Sequence, residues 1–183
     1  TAFAEAEGAA FISGNGVTRC IEIQNAGATV MDLDIRRGYA TLPLSGGGIY
    51  SASGGMIFNC IIQSNWTAGH GGGIYMGPGG HLSNCIVSAN RVQGSGIGVF
   101  CDGGLVEDCD VYGNLASGPD GYYGGGIYAS GATVRRSRIA ANTAYSRGGG
   151  VYATGGSEIR DCDILRNTNA VWYGGGVALS GSA

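Results

Sequence analysis

The chain has 183 residues, of which 38 are Gly and 3 Pro, with 44% hydrophobic residues and a formal net charge of −3. This length suits one domain, the apolar content excludes general disorder, and glycine without a Gly-x-y period excludes collagen. All ten basic residues are Arg, which excludes lysine chemistry, and the acidic balance offers no electrostatic footprint for nucleic acid.

Residues 1–16 open with apolar positions alternating with Glu5 and Glu7, which predicts a strand with one wet face. With Ile12-x-x-Asn15 behind it, this stretch reads as an N-terminal docking strand and a partial first coil. A degenerate coil follows. In it Ile23, Val30, Leu33, Ile35 and Gly38 are expected where the next coil carries Ile49, Ile57, Cys60, Ile62 and Asn65.

From there a glycine triplet or its variant recurs at Gly46, Gly71, Gly96, Gly124, Gly148 and Gly174, giving units of 25, 25, 28, 24 and 26 residues by subtraction. Repetition at this period, with strand-like runs and no helical pattern, predicts a solenoid. The units align in columns. Ile49, Ile74, Val99, Ile127, Val151 and Val177 share one position, and Ile57, Leu82, Val106, Val134 and Ile159 another. Cys60, Cys85, Cys109, Ser137 and Cys162 form a third column, followed two residues on by Ile62, Val87, Val111, Ile139 and Ile164. Asn65, Asn90, Asn114, Asn142 and Asn167 complete the set.

These columns predict inward ladders, because a coil has unpaired strand edges until another stacks on it at about 4.8 Å. The Asn fits a turn, where its amide can bond to its equivalents above and below and its backbone tolerates left-handed angles. Four of the six Cys lie in an inward column, where stacked parallel side chains give poor disulfide geometry, so buried free thiols are favoured over a Cys60–Cys85 or Cys85–Cys109 bond. Cys101, two residues after Val99, should also point inward. The whole is expected to be one domain over 1–183, an all-β solenoid of about seven coils.

Cys85-x-Val87-x-x-Asn90, and Cys60-x-Ile62-x-x-Asn65-x-x-Ala68 leading to Gly71-Gly-Gly-Ile-Tyr75, resemble the paired FxxN and GGA[ILV] repeats of polymorphic outer-membrane adhesins. Here Ile or Val replaces the Phe, and Gly replaces the Ala. The resemblance implies a right-handed parallel β-helix, a scaffold shared by polysaccharide lyases and hydrolases, tailspikes, adhesins and structural fibres.

Outward acids stand at Asp32/Asp34, Asp108/Asp110 and Asp161/Asp163, and Arg136 and Arg138 occupy the same two positions in the intervening coil. The columns therefore predict Asp108–Arg136–Asp161 and Asp110–Arg138–Asp163 ion ladders, with Glu107 facing Arg135. This arrangement favours a structural ladder over a catalytic cluster, whose acids should be unpaired. His70 and His81 make no metal constellation, and the glycine runs open no helix, so neither a catalytic residue, nor a metal ligand, nor a cofactor is assigned.

The best binding candidate is an outward aromatic stripe of Tyr50, Tyr75, Phe100, Tyr128 and Tyr152, flanked by the loop residues Trp66, Tyr122, Tyr123, Tyr145, Trp172 and Tyr173. Such rings can stack on sugars, pack on protein, or simply reinforce the sheet. Residues 115–123 form the one clear insertion. No run is apolar enough to span a membrane and no signal pattern opens the chain. With both ends expected to lack caps, the reading is a non-catalytic extracellular or cell-surface fibre subunit or adhesin that associates head to tail, with a surface glycan or protein as a further partner. The alternative is a polysaccharide lyase, hydrolase or glycan-binding piece of a larger secreted β-helix protein.

Overall fold

The computed structural model describes residues 10–116, 123–171 and 174–181. Among these residues, 26 short strands form four parallel sheets of seven, six, seven and six strands. One rung shows the plan: Ile74–Met76 lies in sheet one, Gly80–Ser83 in sheet two, Ile86–Ser88 in sheet three and Arg91–Val92 in sheet four. The neighbouring rungs repeat it, making about six turns with a seventh strand on sheets one and three.

Register follows the inward columns. Ile49 pairs with Ile74 and Ile74 with Val99, Ile57 with Leu82, and Ile62 with Val87. These side chains are buried, since alternate residues of each strand point into the hollow of the coil. In the degenerate coil Val30 and Ile35 pair as expected with Ile57 and Ile62. Ile23 does not occupy the Ile49 position: Ile21 does, and Ile23 is buried two residues along. The turn at Asn25–Ala28, closed by the Ala28 N–H on the Asn25 carbonyl at 3.0 Å, takes up the longer spacing to Val30.

Besides left-handed glycines such as the first of each triplet, two columns of left-handed residues flank sheet three. One column precedes the Cys position (Asn59, Asn84, Asp108, Arg136, Asp161) and the other precedes the Asn position (Ser64, Ala89, Gly113, Ala141, Arg166). The ladder asparagines are therefore not the left-handed residues that the sequence suggested. Bending just before Asn turns its side chain into the core. Ile12 joins its column by pairing with Ile35, but Asn15 lies exposed in a turn, its Oδ1 accepting from Ser13 Oγ at 3.2 Å.

The asparagines form an unbroken buried ladder. Nδ2 of Asn65, Asn90, Asn114 and Asn142 donates to Oδ1 of the next Asn at 3.0, 3.0, 2.9 and 3.0 Å. The same oxygen accepts the backbone N–H of the preceding Asn, and the second Nδ2 proton goes back to a carbonyl, as from Asn90 to Ile62 at 3.0 Å. The glycine triplet makes room for this. A Cβ on Gly73 would stand 2.9 Å from Asn90 Nδ2, and one on Gly72 only 2.6 Å from the Arg91 carbonyl oxygen.

All six cysteines are free thiols. The Cys60 N–H donates to Cys85 Sγ at 3.3 Å, and the Cys109 N–H donates to Ser137 Oγ at 3.1 Å, so Ser137 replaces Cys as the acceptor in that column. The hydrogen bond with Cys85 and burial push the Cys60 thiol well above its ordinary range, while burial pushes Cys101 up to about 12. Such thiols are poor nucleophiles.

Replacing Asn90 by Ala orphans the Asn65 N–H and one Asn65 Nδ2 proton, and takes one of its donors from the Ile62 carbonyl. At about 1–3 kcal/mol for each buried unsatisfied group, Asn90→Ala is expected to cost about 3 kcal/mol or more in chemical denaturation. A cost below about 1 kcal/mol would contradict the ladder's role.

Candidate functional site

The outward residues of sheet one follow directly from strand alternation. Between inward Ile49 and Ser51 stands Tyr50, and each following rung puts its aromatic residue in register with the last. Tyr50, Tyr75, Phe100, Tyr128 and Tyr152 form one continuous stack, with centroid separations of 5.2, 5.0, 4.5 and 5.3 Å. Strand spacing nearly equals ring spacing, so parallel register alone produces it. Tyr123 extends the array onto Tyr152 at 4.6 Å, and the His70 ring leans on Phe100 at 5.1 Å.

This geometry limits what the stripe can bind. Ring faces are occupied by neighbouring rings, and at the N-terminal end the Arg19 guanidinium covers Tyr50 at 4.6 Å from its centroid. Edges and phenol oxygens are what the stack presents, except at Tyr152, which is buried rather than open as expected. Trp66 does not belong to it: it lies on the Trp66–Thr67 strand of sheet four and stacks on Tyr39 at 4.5 Å. Tyr122, Trp172 and Tyr173 lie outside the described residues, as does most of the 115–123 insertion.

Beside the stack's first two rings is a cleft of about 280 Å³, lined by Arg19, Glu22, Leu44, Ser45, Tyr50, His70 and Tyr75 among others. Arg19 clamps its wall. Nε donates to the Gly46 carbonyl at 3.0 Å, Nη2 to the Ser45 carbonyl at 2.7 Å, and Nη1 to Glu22 at 2.8 Å. Nδ1 of His70 accepts the Ser95 N–H at 3.0 Å, and burial lowers its pKa, leaving a neutral ring with Nε2 as the donor. The cleft offers hydrogen bonds around a charge pair that is already satisfied. Its key residues escaped the repeat pattern because Arg19 and Glu22 lie in the degenerate coil and His70 in a loop.

The acidic columns are ion-paired from one side. Arg136 binds Asp108 through two nitrogens at 2.9 and 2.8 Å, and Arg138 binds Asp110 at 2.7 Å. The expected continuation to Asp161 and Asp163 is absent among the described residues. Arg136 and Arg138 reach back toward the preceding rung, while Asp161 is 3.7 Å from Arg160 of its own rung. The sequence placed Glu107 only opposite Arg135, but His81 and Arg136 also reach it, giving contacts of 2.8, 2.7 and 2.6 Å with His81, Arg135 and Arg136. It is the most buried acid among the described residues, 8% exposed.

Hydrogen bonding from Arg135, against the opposing effect of desolvation and helped by His81 and Arg136, lowers the Glu107 pKa to about 2. A depressed pKa means that the carboxylate favours the folded state fully above its ordinary value of 4.5, and that this contribution is lost as pH falls toward about 2. A carboxyl so held is ionised and serves poorly as a proton donor.

The family model described as right-handed beta helix region matches residues 72–183, more than half of the chain. No curated protein and no solved structure matches it.

Thermal midpoints measured from pH 7 to pH 2 are expected to fall less steeply between about 4.5 and 2 in Glu107→Gln than in the parent, the two curves converging at the acid end. Parallel curves would show that Glu107 titrates alike in the folded and unfolded chains.

Proposed function

The chain belongs to the right-handed β-helix family, and from that premise we propose that it is a non-catalytic structural rod, a fibre subunit or adhesin outside the cell or at its surface. In this reading it lengthens by stacking the last rung of one copy on the first rung of the next.

The observation that carries the proposal is Leu179. It pairs with Ala153 in a column whose members Met76, Cys101, Ala129 and Ala153 are buried, yet it is 75% exposed because no described rung covers it. Ile159, Ile164 and Val177, also inward, are only partly buried. At the opposite end Ile21 and Ile12 are the first described members of the Val177 and Ile164 columns, and Ile23 heads that of Leu179. Stacking Val177 over Ile21 sets Leu179 over Ile23 and continues the parallel sheet. Paired backbone edges and covered apolar side chains supply the driving force.

Two further features support a structural over a catalytic role. Asp108 and Asp110 are held by arginines, and the aromatic faces are engaged with one another. Buried, unreactive thiols suit an oxidising exterior. The alternative role in glycan binding is favoured by one observation, the open hydrogen-bonding groups of the Arg19 cleft.

Sedimentation velocity and electron microscopy over a dilution series test the reading. The 183-residue chain is expected to form linear, concentration-dependent oligomers. Leu179→Asp should abolish them with the circular dichroism unchanged, while Leu115→Asp on sheet four should not. Monomeric rods at every concentration would overturn end-to-end assembly, and retention of immobilised glycans by such rods would favour the cleft.

A further inference from the structure

The stack on sheet one contains phenols in contact, interrupted once. Tyr50 and Tyr75 face each other at 5.2 Å, Tyr128 and Tyr152 at 5.3 Å, and Tyr123 and Tyr152 at 4.6 Å. Phe100 lies between the two groups, 5.0 Å from Tyr75 and 4.5 Å from Tyr128. The tyrosine pairs are tilted by 27–28°, bringing one edge of each pair closer than the centroids, whereas Phe100 is within 6° of parallel to both neighbours.

We propose that this face carries two sites of oxidative cross-linking, one joining Tyr50 to Tyr75 and the other joining Tyr152 to Tyr123 or Tyr128. The co-reactant is a one-electron oxidant, such as a haem peroxidase supplied with hydrogen peroxide. Each phenol gives one electron to the oxidant and its hydroxyl proton to solvent. The two phenoxyl radicals join through a carbon–carbon bond between ring positions ortho to the oxygens, and the displaced ring hydrogens return to the oxygens. Per cross-link, two phenols lose two protons and two electrons in all, which reduce one hydrogen peroxide to two waters.

Holding the two rings in contact makes coupling intramolecular, at an effective concentration far above any reached between dilute rods. Phe100 has no hydroxyl hydrogen to lose, so it forms no phenoxyl radical and separates the sites. The bond would join neighbouring rungs covalently through the outer wall, in a chain whose six free thiols provide no disulfide. This inference rests on the ring stack alone and does not depend on end-to-end assembly.

The test treats the whole chain, diluted until it sediments as a monomer, with haem peroxidase and hydrogen peroxide. Peptide mapping and dityrosine fluorescence follow. Expected are intramolecular cross-links between the Tyr50 and Tyr75 peptides and between the Tyr152 peptide and that of Tyr123 or Tyr128, each lighter by two hydrogens. None should join the two groups. Tyr75→Phe should remove the first product and leave the second, and Phe100→Tyr should create products joining the position-100 peptide to that of Tyr75 or Tyr128. Circular dichroism checks that each variant is folded. Absence of dityrosine in the folded parent, products confined to Tyr39 or Tyr112, or products found only between molecules would overturn the proposal.

Discussion

The side-chain amide of the ladder asparagine is the constraint from which most of this structure follows. Asn90 donates to Asn114 and to the Ile62 carbonyl, and accepts from Asn65 through both its backbone and side-chain N–H groups. Its hydrogen-bonding capacity is thus used completely, and all of it by neighbouring rungs, three bonds with the preceding one and one with the following. Such a group is stabilising when fully partnered and costly when it is not, so rungs are stable only as a stack. The glycine triplet is the corollary, since a side chain at Gly73 would occupy the space that Asn90 needs.

The same in-register stacking governs the outer wall. Once inward residues lie directly above one another, outward residues must do so too. On sheet one this produces rings in contact. On sheets two and three it produces arginine beside carboxylate, with Glu107 drawing in His81, Arg135 and Arg136. The exposed pairs are weak because solvent screens them, and their main effect is to disfavour slipped register. Chemistry that looks available in the sequence is consequently committed to neighbouring rungs. Among the described residues, the cleft at Arg19 and the edge of the last rung stay open.

The repeat was legible because its period and its inward columns arise from the same backbone geometry. Ile49, Ile57, Ile62, Cys60 and Asn65 each stand where their spacing put them. The sequence was less informative where local geometry decides. Ile21 and Ile23 are two residues apart on one strand face, so either fits a period-two pattern, and only the Asn25 turn distinguishes them. Trp66 reads as a loop residue beside the stripe, but a two-residue strand carries it onto another sheet. Arg136 had acids on both sides and reached toward one, a choice fixed by side-chain direction rather than by register.

Residue-resolved hydrogen exchange tests most directly the claim that rungs depend on one another for stability and that the last described one has an uncovered edge. In dilute monomer, the amides of Asn65, Asn90 and Asn114, bonded to side chains of the next rung, should be the slowest to exchange, and those of Val177–Ser180 among the fastest. On the proposed end-to-end stacking, raising the concentration should slow exchange at Val177–Ser180 while leaving the central asparagines unchanged. Equal protection of the central and last rungs in the monomer, or a last rung indifferent to concentration, would contradict the account.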